Sequence, residues 1–500
     1  MVISVFGLLL HCFISLVITP QITNILGVEA YGFVSLSRNF VAYVNIIMIA
    51  FNAFAARYVT FAYVNDDLKA FNEYYNSVFW ANTLVGGGIV LLSLLLTWKL
   101  EYVISIPVEL VGEVKLLFLL TFLGFYLTEI GAVFGLTGYV KNRLDIVQMI
   151  RGLSYVLDIV LLIFCYFVIK PHIWYMGLAA VLVNLLVFVG NYLLTKKLLP
   201  EAKYDIKLVS KFALKNLVSN GIWNSFNGIG NSLNSGLDLL ISNLLLSATG
   251  MGQIAIAKNF TTLTSSLNTT LATAFHPNFL KVYSEGNREG LIDELKYSMK
   301  VCGIPINVIF AGFIAVGQQF LSLWIPTQNT DLLYVLVILA MLPSIAEGPV
   351  YPLYYIYTLT IRNKIPCLVT ILGGLANVLG MYILLKYTTM GVYSVLITTA
   401  VIMGTINFII NPIYMSHCLN VKLSTFYPEI IKNVISVVIT SIILREIVGL
   451  FPYATSACSL AYQILLLGIL GFNMEVFILM GPKQVITFIH KTVQRFKRNN

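Results

Sequence analysis

Charge is scarce in this chain. Asp, Glu, Lys and Arg make up 11% of 500 residues, 58% are hydrophobic, and the mean hydropathy is +0.86. Soluble domains carry about 25% charged residues, so a soluble globular protein is excluded and an integral membrane protein is implied. Paired cysteines are missing as well. Cys12, Cys165, Cys302, Cys367, Cys418 and Cys458 lie singly, with no CxxC and no His/Cys cluster, which supports neither a disulfide framework nor a metal site. No P-loop, GxSxG or HExxH occurs, and no loop is long enough for a catalytic domain, so no enzyme and no cofactor are expected. No basic stretch or small-residue cleavage site accompanies the apolar run 2–19, which reads as a retained first helix. Its abrupt start suggests that a few residues are missing ahead of it or that translation begins late. The net charge of +9 is accounted for by basic membrane loops, so no nucleic-acid partner is expected.

What is abundant is long apolar sequence. A membrane span needs about 20 predominantly apolar residues, and fourteen stretches qualify: 2–20, 33–60, 75–98, 114–137, 147–169, 174–195, 217–245, 252–276, 298–324, 331–357, 366–386, 391–413, 427–448 and 459–480. Of 31 Lys and Arg, 24 fall in the loops after even-numbered spans, in the span ends beside them or in the C-terminal tail, and five in or beside the loops after odd-numbered ones. The positive-inside rule then makes both termini cytoplasmic. A span missed near the middle would have reversed every later loop and spoiled that split.

The chain repeats itself. "YGFVSLSRNF" (31–40) aligns with "MGQIAIAKNF" (251–260) at an offset of 220, without a gap into "DDLKAFNEY" (66–74) against "GNREGLIDE" (286–294). "KNR" (141–143) echoes "RNK" (362–364). The fold expected is all-α: an N-lobe of spans 1–6 (1–198), a linker (199–216), a C-lobe of spans 7–12 (217–416), spans 13–14 (417–482) and a basic tail (483–500).

The polar residues inside the spans are the candidate site. Arg38 and Lys258 occupy equivalent places in the repeat, each about two turns inside a span, where a charge is costly and faces a polar cavity. Asn45 and Asn52 continue the Arg38 face. Thr262, Ser265, Thr269 and Thr273 continue that of Lys258. On a regular helix, Asn216, Asn220, Asn224, Asn227, Asn231, Asn234 and Asp238 fall within an arc of roughly 80°. Snorkelling cations and polar helix–helix contacts are the structural alternative, but six asparagines exceed what helix contacts need. Amide walls suit sugar hydroxyls, and cations suit phosphate or pyrophosphate. Asp238, Glu129, Asp158 and Glu347 are candidates for coupling to H+ or Na+, Glu475 is a further buried acid, and His11 is a possible titrating group in span 1.

Fourteen spans in 6+6+2 order, with "PQITNILGVEAYGFVSL" (20–36), "GQIAIAKNF" (252–260), "PNFLKVYSEGNREGL" (277–291) and "FLSLWIP" (320–326), resemble the MOP transporter superfamily, and within it the Wzx-type polysaccharide-biosynthesis flippases. The resemblance covers nearly the whole chain. It implies a flippase that moves undecaprenyl-pyrophosphate-linked oligosaccharide units (O-antigen, capsule or exopolysaccharide) from the cytoplasmic to the periplasmic leaflet by alternating access. It also implies that Arg38 and Lys258 meet the anionic headgroup, and that membrane lipid, a polysaccharide polymerase and glycosyltransferases are partners. Span 1 lacks the acidic residue of sodium/drug antiporters. A cation-coupled multidrug exporter of the same fold and a non-transporting scaffold for glycan assembly are the competing readings.

Overall fold

The computed structural model describes residues 2–498, with side chains for 14–481. The side chains of His11, Cys12 and the tail from Lys483 onward lie outside the described residues. The described chain is helical throughout, with no strand. In order, the helices are α1 (Val2–Ile25), α2 (Val28–Asn52), α3 (Ala55–Val64), α4 (Leu68–Trp98), α5 (Val111–Val140), α6 (Leu144–Ile163), α7 (Tyr175–Leu198), α8 (Lys211–Asn231) and α9 (Asp238–Leu245). The second half holds α10 (Ala248–Ser284), α11 (Arg288–Trp324), α12 (Thr330–Val350), α13 (Tyr355–Leu359), α14 (Lys364–Tyr387), α15 (Val392–Thr405), α16 (Asn411–Cys418), α17 (Tyr427–Gly449) and α18 (Ala457–Arg498). Gly481, at φ 69°, breaks α18 where the fourteenth expected span ends.

Ten of these helical stretches are long and apolar enough to cross a membrane. They coincide with the second to sixth, ninth to twelfth and fourteenth expected spans. The first, seventh, eighth and thirteenth are helical too, as α1, α8 with α9, α10 and α17. The protein is therefore an all-helical polytopic membrane protein. Leu91, Leu92 and Leu95 stand about two-thirds exposed along α4, as side chains facing lipid do.

The repeat is visible in local geometry. Asp66 and Gly286, 220 residues apart, both take positive φ (57° and 70°) and end a helix in the left-handed conformation. The next residue caps the following helix in each case. Asp67 accepts from the Ala70 amide at 2.9 Å, and Asn287 accepts from the Gly290 amide at 2.9 Å. The same side-chain chemistry thus builds the same turn twice.

Two compact units form by packing: residues 1–255 with 370–392, and residues 256–369 with 393–500. The first unit thus includes α8, α9 and most of α14 besides the six helical spans of the N-lobe. Shared lineage and close packing are different groupings, and specific contacts account for the second. A Cβ on Gly221 of α8 would lie 2.1 Å from the Ala50 carbonyl oxygen of α2, so only glycine permits that crossing. Asn234 donates to the Thr370 carbonyl at 2.8 Å, and Asn377 of α14 donates to the Asn234 carbonyl at 2.7 Å.

The segment expected as a linker is ordered within the first unit. Lys203 N and Asp205 N donate to Asn72 Oδ1 and Asn76 Oδ1, each at 2.9 Å, and Ser210 N donates to Ser77 Oγ at 3.1 Å. Spaced four and one apart on α4, these side chains hold residues 199–210 along the helix as a strap. In the second unit, Glu475 of α18 is fully buried and accepts from Asn307, Ser436 and Thr440 at 2.9, 2.7 and 2.8 Å. That cluster fastens α17 and α18 to α11.

Candidate functional site

The asparagine row does not run along one regular face. From Ser232 to Gly236 the helix widens into a π-turn before α9 resumes at Asp238. A π-turn inserts an extra residue per turn and rotates everything beyond it. Asn220, Asn224 and Asn231 are exposed and Asn227 is half-buried, whereas Asn234 and Asp238 are 3% and 1% exposed. The row is therefore open along α8, and its last two members turn into packing. Asn216 and Asn220 donate to the hydroxyls of Tyr74 and Tyr58 at 3.0 and 2.9 Å, and those two rings stack 5.0 Å apart.

The π-turn frees a carbonyl, and α2 answers it. Asn39 and Tyr43 both donate to the Gly236 oxygen, at 2.8 and 2.6 Å. Neighbouring Arg38 is exposed on α2 and acts electrostatically on Asp158 of α6 and on Tyr166. Two residues singled out separately in the sequence are thus close enough to interact. Asn45 is half-buried further along α2.

A second pairing lies at the end of α2. Asn52 and Asn82 exchange hydrogen bonds of 3.0 and 2.8 Å, and Asn52 also donates to Glu129 Oε2 at 2.7 Å. Asn82 is fully buried and Glu129 is 8% exposed. The carboxylate therefore takes its donor from Asn52, which Asn82 holds in place, with no described ion pair.

Lys258, in the second unit, is half-buried, and its carbonyl accepts from the Thr262 hydroxyl at 3.0 Å. Along α10, Thr269 Oγ1 lies 2.9 Å from Tyr351 OH, and the Tyr355 hydroxyl donates to Thr273 at 3.3 Å. His276 stacks on Tyr355 at 4.3 Å. Half-buried Glu347 lies on α12, within electrostatic reach of Tyr351 and Tyr354. Tyr354 donates to Asn407 at 2.6 Å, and Asn411 donates to both. Asn407 sits in another π-turn, 406–410. Among the described residues no group of three His, Cys, Asp or Glu side chains is placed to hold a metal ion.

Tyr58, Tyr74, Asn39, Tyr43, Asn82, Asn407 and Asn411 were not singled out by the sequence. Nothing in their spacing sets most of them apart, and only a tertiary partner gives each a role. Asn407 and Asn411, four apart, are the exception: that spacing on one helix face was a usable signal.

No family model matches the chain. It is 31% identical over 428 residues to an uncharacterized membrane protein, EpsK, of Bacillus subtilis (strain 168), covering 85% of this chain and 84% of EpsK. Among solved structures it resembles a multidrug resistance MATE family transporter of the MOP superfamily in an inward-facing conformation. The TM-score is 0.68 at 15% identity, over 81% of this chain and 95% of that one. It also resembles the lipid II flippase MurJ in an inward closed conformation, with a TM-score of 0.65 at 16% identity, over 95% and 97%.

Proposed function

The chain belongs to the family of the membrane protein EpsK and has the fold of the MOP superfamily, and from that premise we propose that it is a flippase for polyprenyl-pyrophosphate-linked oligosaccharide units. It would carry them from the cytoplasmic to the periplasmic leaflet of a bacterial inner membrane by alternating access, with both termini cytoplasmic and an H+ or Na+ gradient as driving force. Glycosyltransferases that build the unit and a polymerase that consumes it would act on either side.

The observation that carries this reading is the open amide row of α8. Asn220, Asn224 and Asn231 are exposed on a helix of a chain otherwise adapted to hydrocarbon. Asn220 is answered by the Tyr58 hydroxyl, but leaving an amide unpaired in an apolar medium costs roughly 2 kcal/mol or more, so Asn224 and Asn231 face water or a polar cargo. Amides donate and accept, which matches sugar hydroxyls. Arg38, exposed on the helix that meets the π-turn, supplies a planar cation suited to phosphate oxygens, and Lys258 supplies a second cation. MurJ is a flippase for lipid II, so the fold accommodates a lipid cargo.

The test is flipping in proteoliposomes by Arg38→Ala, Lys258→Ala and Asn224/Asn227/Asn231→Leu variants that retain wild-type thermal stability. Loss of flipping in the cation variants and in the amide variant supports the reading. Wild-type rates in all three would refute the assigned site.

A further inference from the structure

Between the strap 199–210 and the start of α4, the first unit carries a cleft of about 810 Å3, within the range of about 300–1,000 Å3 typical of small-ligand sites. The turn from α3 to α4 lies beside it, and α7 ends where the strap begins. The cleft therefore sits where spans 2, 3 and 6 reach the membrane surface.

Three kinds of side chain line it. Lys69 of α4 faces Lys203 and Lys207 of the strap across the cleft. Among the described residues none of these three lysines forms an ion pair. Glu73 and Glu201 are the acids of the lining. Glu201 turns Oε1 toward Lys141 at 4.0 Å, while its Oε2 is buried with no hydrogen-bond partner. Leu68, Leu208 and Val209 add an apolar edge, and Leu68 is 48% exposed. Cations without counter-ions call for an anion, and an unanswered carboxylate oxygen calls for a donor. The apolar edge calls for hydrocarbon.

The other copy of the repeat closes the equivalent place from within. Arg288 and Glu289 stand where Leu68 and Lys69 do. The Arg288 guanidinium donates to the carbonyls of Leu419 and Asn420, and the space beside it is about 260 Å3. In the first unit a leucine replaces that arginine, and the cations on either side keep their charge open to a ligand.

We propose that the cleft binds the headgroup of an anionic phospholipid of the phosphatidylglycerol type. Its phosphate oxygens accept from Lys69, Lys203 and Lys207, a headgroup hydroxyl donates to Glu201, and the first acyl methylenes lie against Leu68, Leu208 and Val209. One lipid thus ties α4 to the strap, adding to the hold of Asn72, Asn76 and Ser77. A soluble phosphate ester offers the same anion but has no use for the apolar edge. The site is separate from the residues assigned to the cargo, and it rests on the flippase reading only for the leaflet, cytoplasmic, that supplies the lipid.

The experiment is hydrogen exchange of the full-length protein in nanodiscs of phosphatidylcholine, alone or with phosphatidylglycerol or phosphatidylethanolamine added. Phosphatidylglycerol is expected to slow exchange at the Asp205 amide about fivefold or more, the worth of one lysine–lipid contact, and phosphatidylethanolamine is not. Lys69→Gln/Lys203→Gln/Lys207→Gln should abolish that response, and Lys196→Gln/Lys197→Gln/Lys215→Gln should retain it. Wild-type exchange that is equal with and without phosphatidylglycerol overturns the proposal, whatever the variants do. An equal response to phosphatidylethanolamine, or one that both triple variants keep or lose alike, overturns it too. Glycerol 3-phosphate added to phosphatidylcholine nanodiscs is the soluble probe, and slowing by it overturns the lipid assignment in favour of a soluble phosphate ester. Nanodiscs expose both leaflets and the readout needs no transport. A protein that answers phosphatidylglycerol but does not flip the sugar-linked lipid therefore loses the cargo assignment and keeps this site.

Discussion

Thr249 Oγ1 donates a 2.7 Å hydrogen bond to Glu29 Oε1, and these residues are 220 positions apart, the offset of the repeated decapeptides. Gly32 and Gly252, another pair at that offset, are also in contact: a Cβ on Gly32 would fall 2.9 Å from the Gly252 Cα. Within the first unit these two pairs bring α2 and the start of α10 together at equivalent positions of the repeat.

Substituting one of these glycines tests that contact. A Cβ on Gly252 would come within 2.1 Å of the Val28 carbonyl oxygen, and backbone cannot yield cheaply. Gly252→Ala is expected to destabilise the protein by about 1–3 kcal/mol, read as a lower thermal unfolding midpoint in detergent. Gly312→Ala, where a Cβ meets nothing within 4 Å, should leave the midpoint unchanged or raise it.

The Asn52–Asn82–Glu129 cluster predicts strong coupling between substitutions. Asn52→Leu strips Glu129 of its donor and Asn82 of its partner, at a cost of about 2–3 kcal/mol. Once Glu129 is already leucine, the same change should cost less. A double-mutant cycle should return a coupling energy of about 1–3 kcal/mol, and additive effects would contradict the cluster.

The strap 199–210 should be released without disturbing the helices. Asn72→Ala with Asn76→Ala removes the acceptors for Lys203 N and Asp205 N, worth about 1 kcal/mol each. Amide exchange at Lys203 and Asp205 should accelerate about five- to tenfold, with protection in α5 and α7 unchanged. Equal exchange in the variant and the wild type would mean that other contacts hold the strap.

Glu475 is expected to be structural. Three donors surround its buried carboxylate, and Glu475→Leu orphans all of them at a cost of about 3 kcal/mol or more. Glu475→Gln, which keeps one acceptor oxygen, should cost less. A Glu475→Leu protein as stable as wild type would show that α17 and α18 are fastened to α11 by other means.

The sequence made the helices and the duplication legible because both leave periodic marks: apolar length, basic loops and a fixed offset. It could not show the π-turn at 232–236, since nothing in Ser-Leu-Asn-Ser-Gly forbids a regular helix. The 100° projection therefore kept Asn234 and Asp238 on a face they leave. It marked Glu129 as an intramembrane acid but not Asn52 as its donor or Asn82 as the residue that holds Asn52, because pairings across three helices leave no spacing to read.

The central claim concerns the cargo, and the direct measurement offers two cargoes to the wild-type protein in the same proteoliposomes. One is a polyprenyl-pyrophosphate oligosaccharide whose sugar is detected only on the far leaflet, and the other is a cationic dye. The account predicts that the lipid-linked sugar appears on the far side while the dye stays put. Dye export with the lipid-linked sugar left unmoved would contradict it and identify a cation exporter of the same fold.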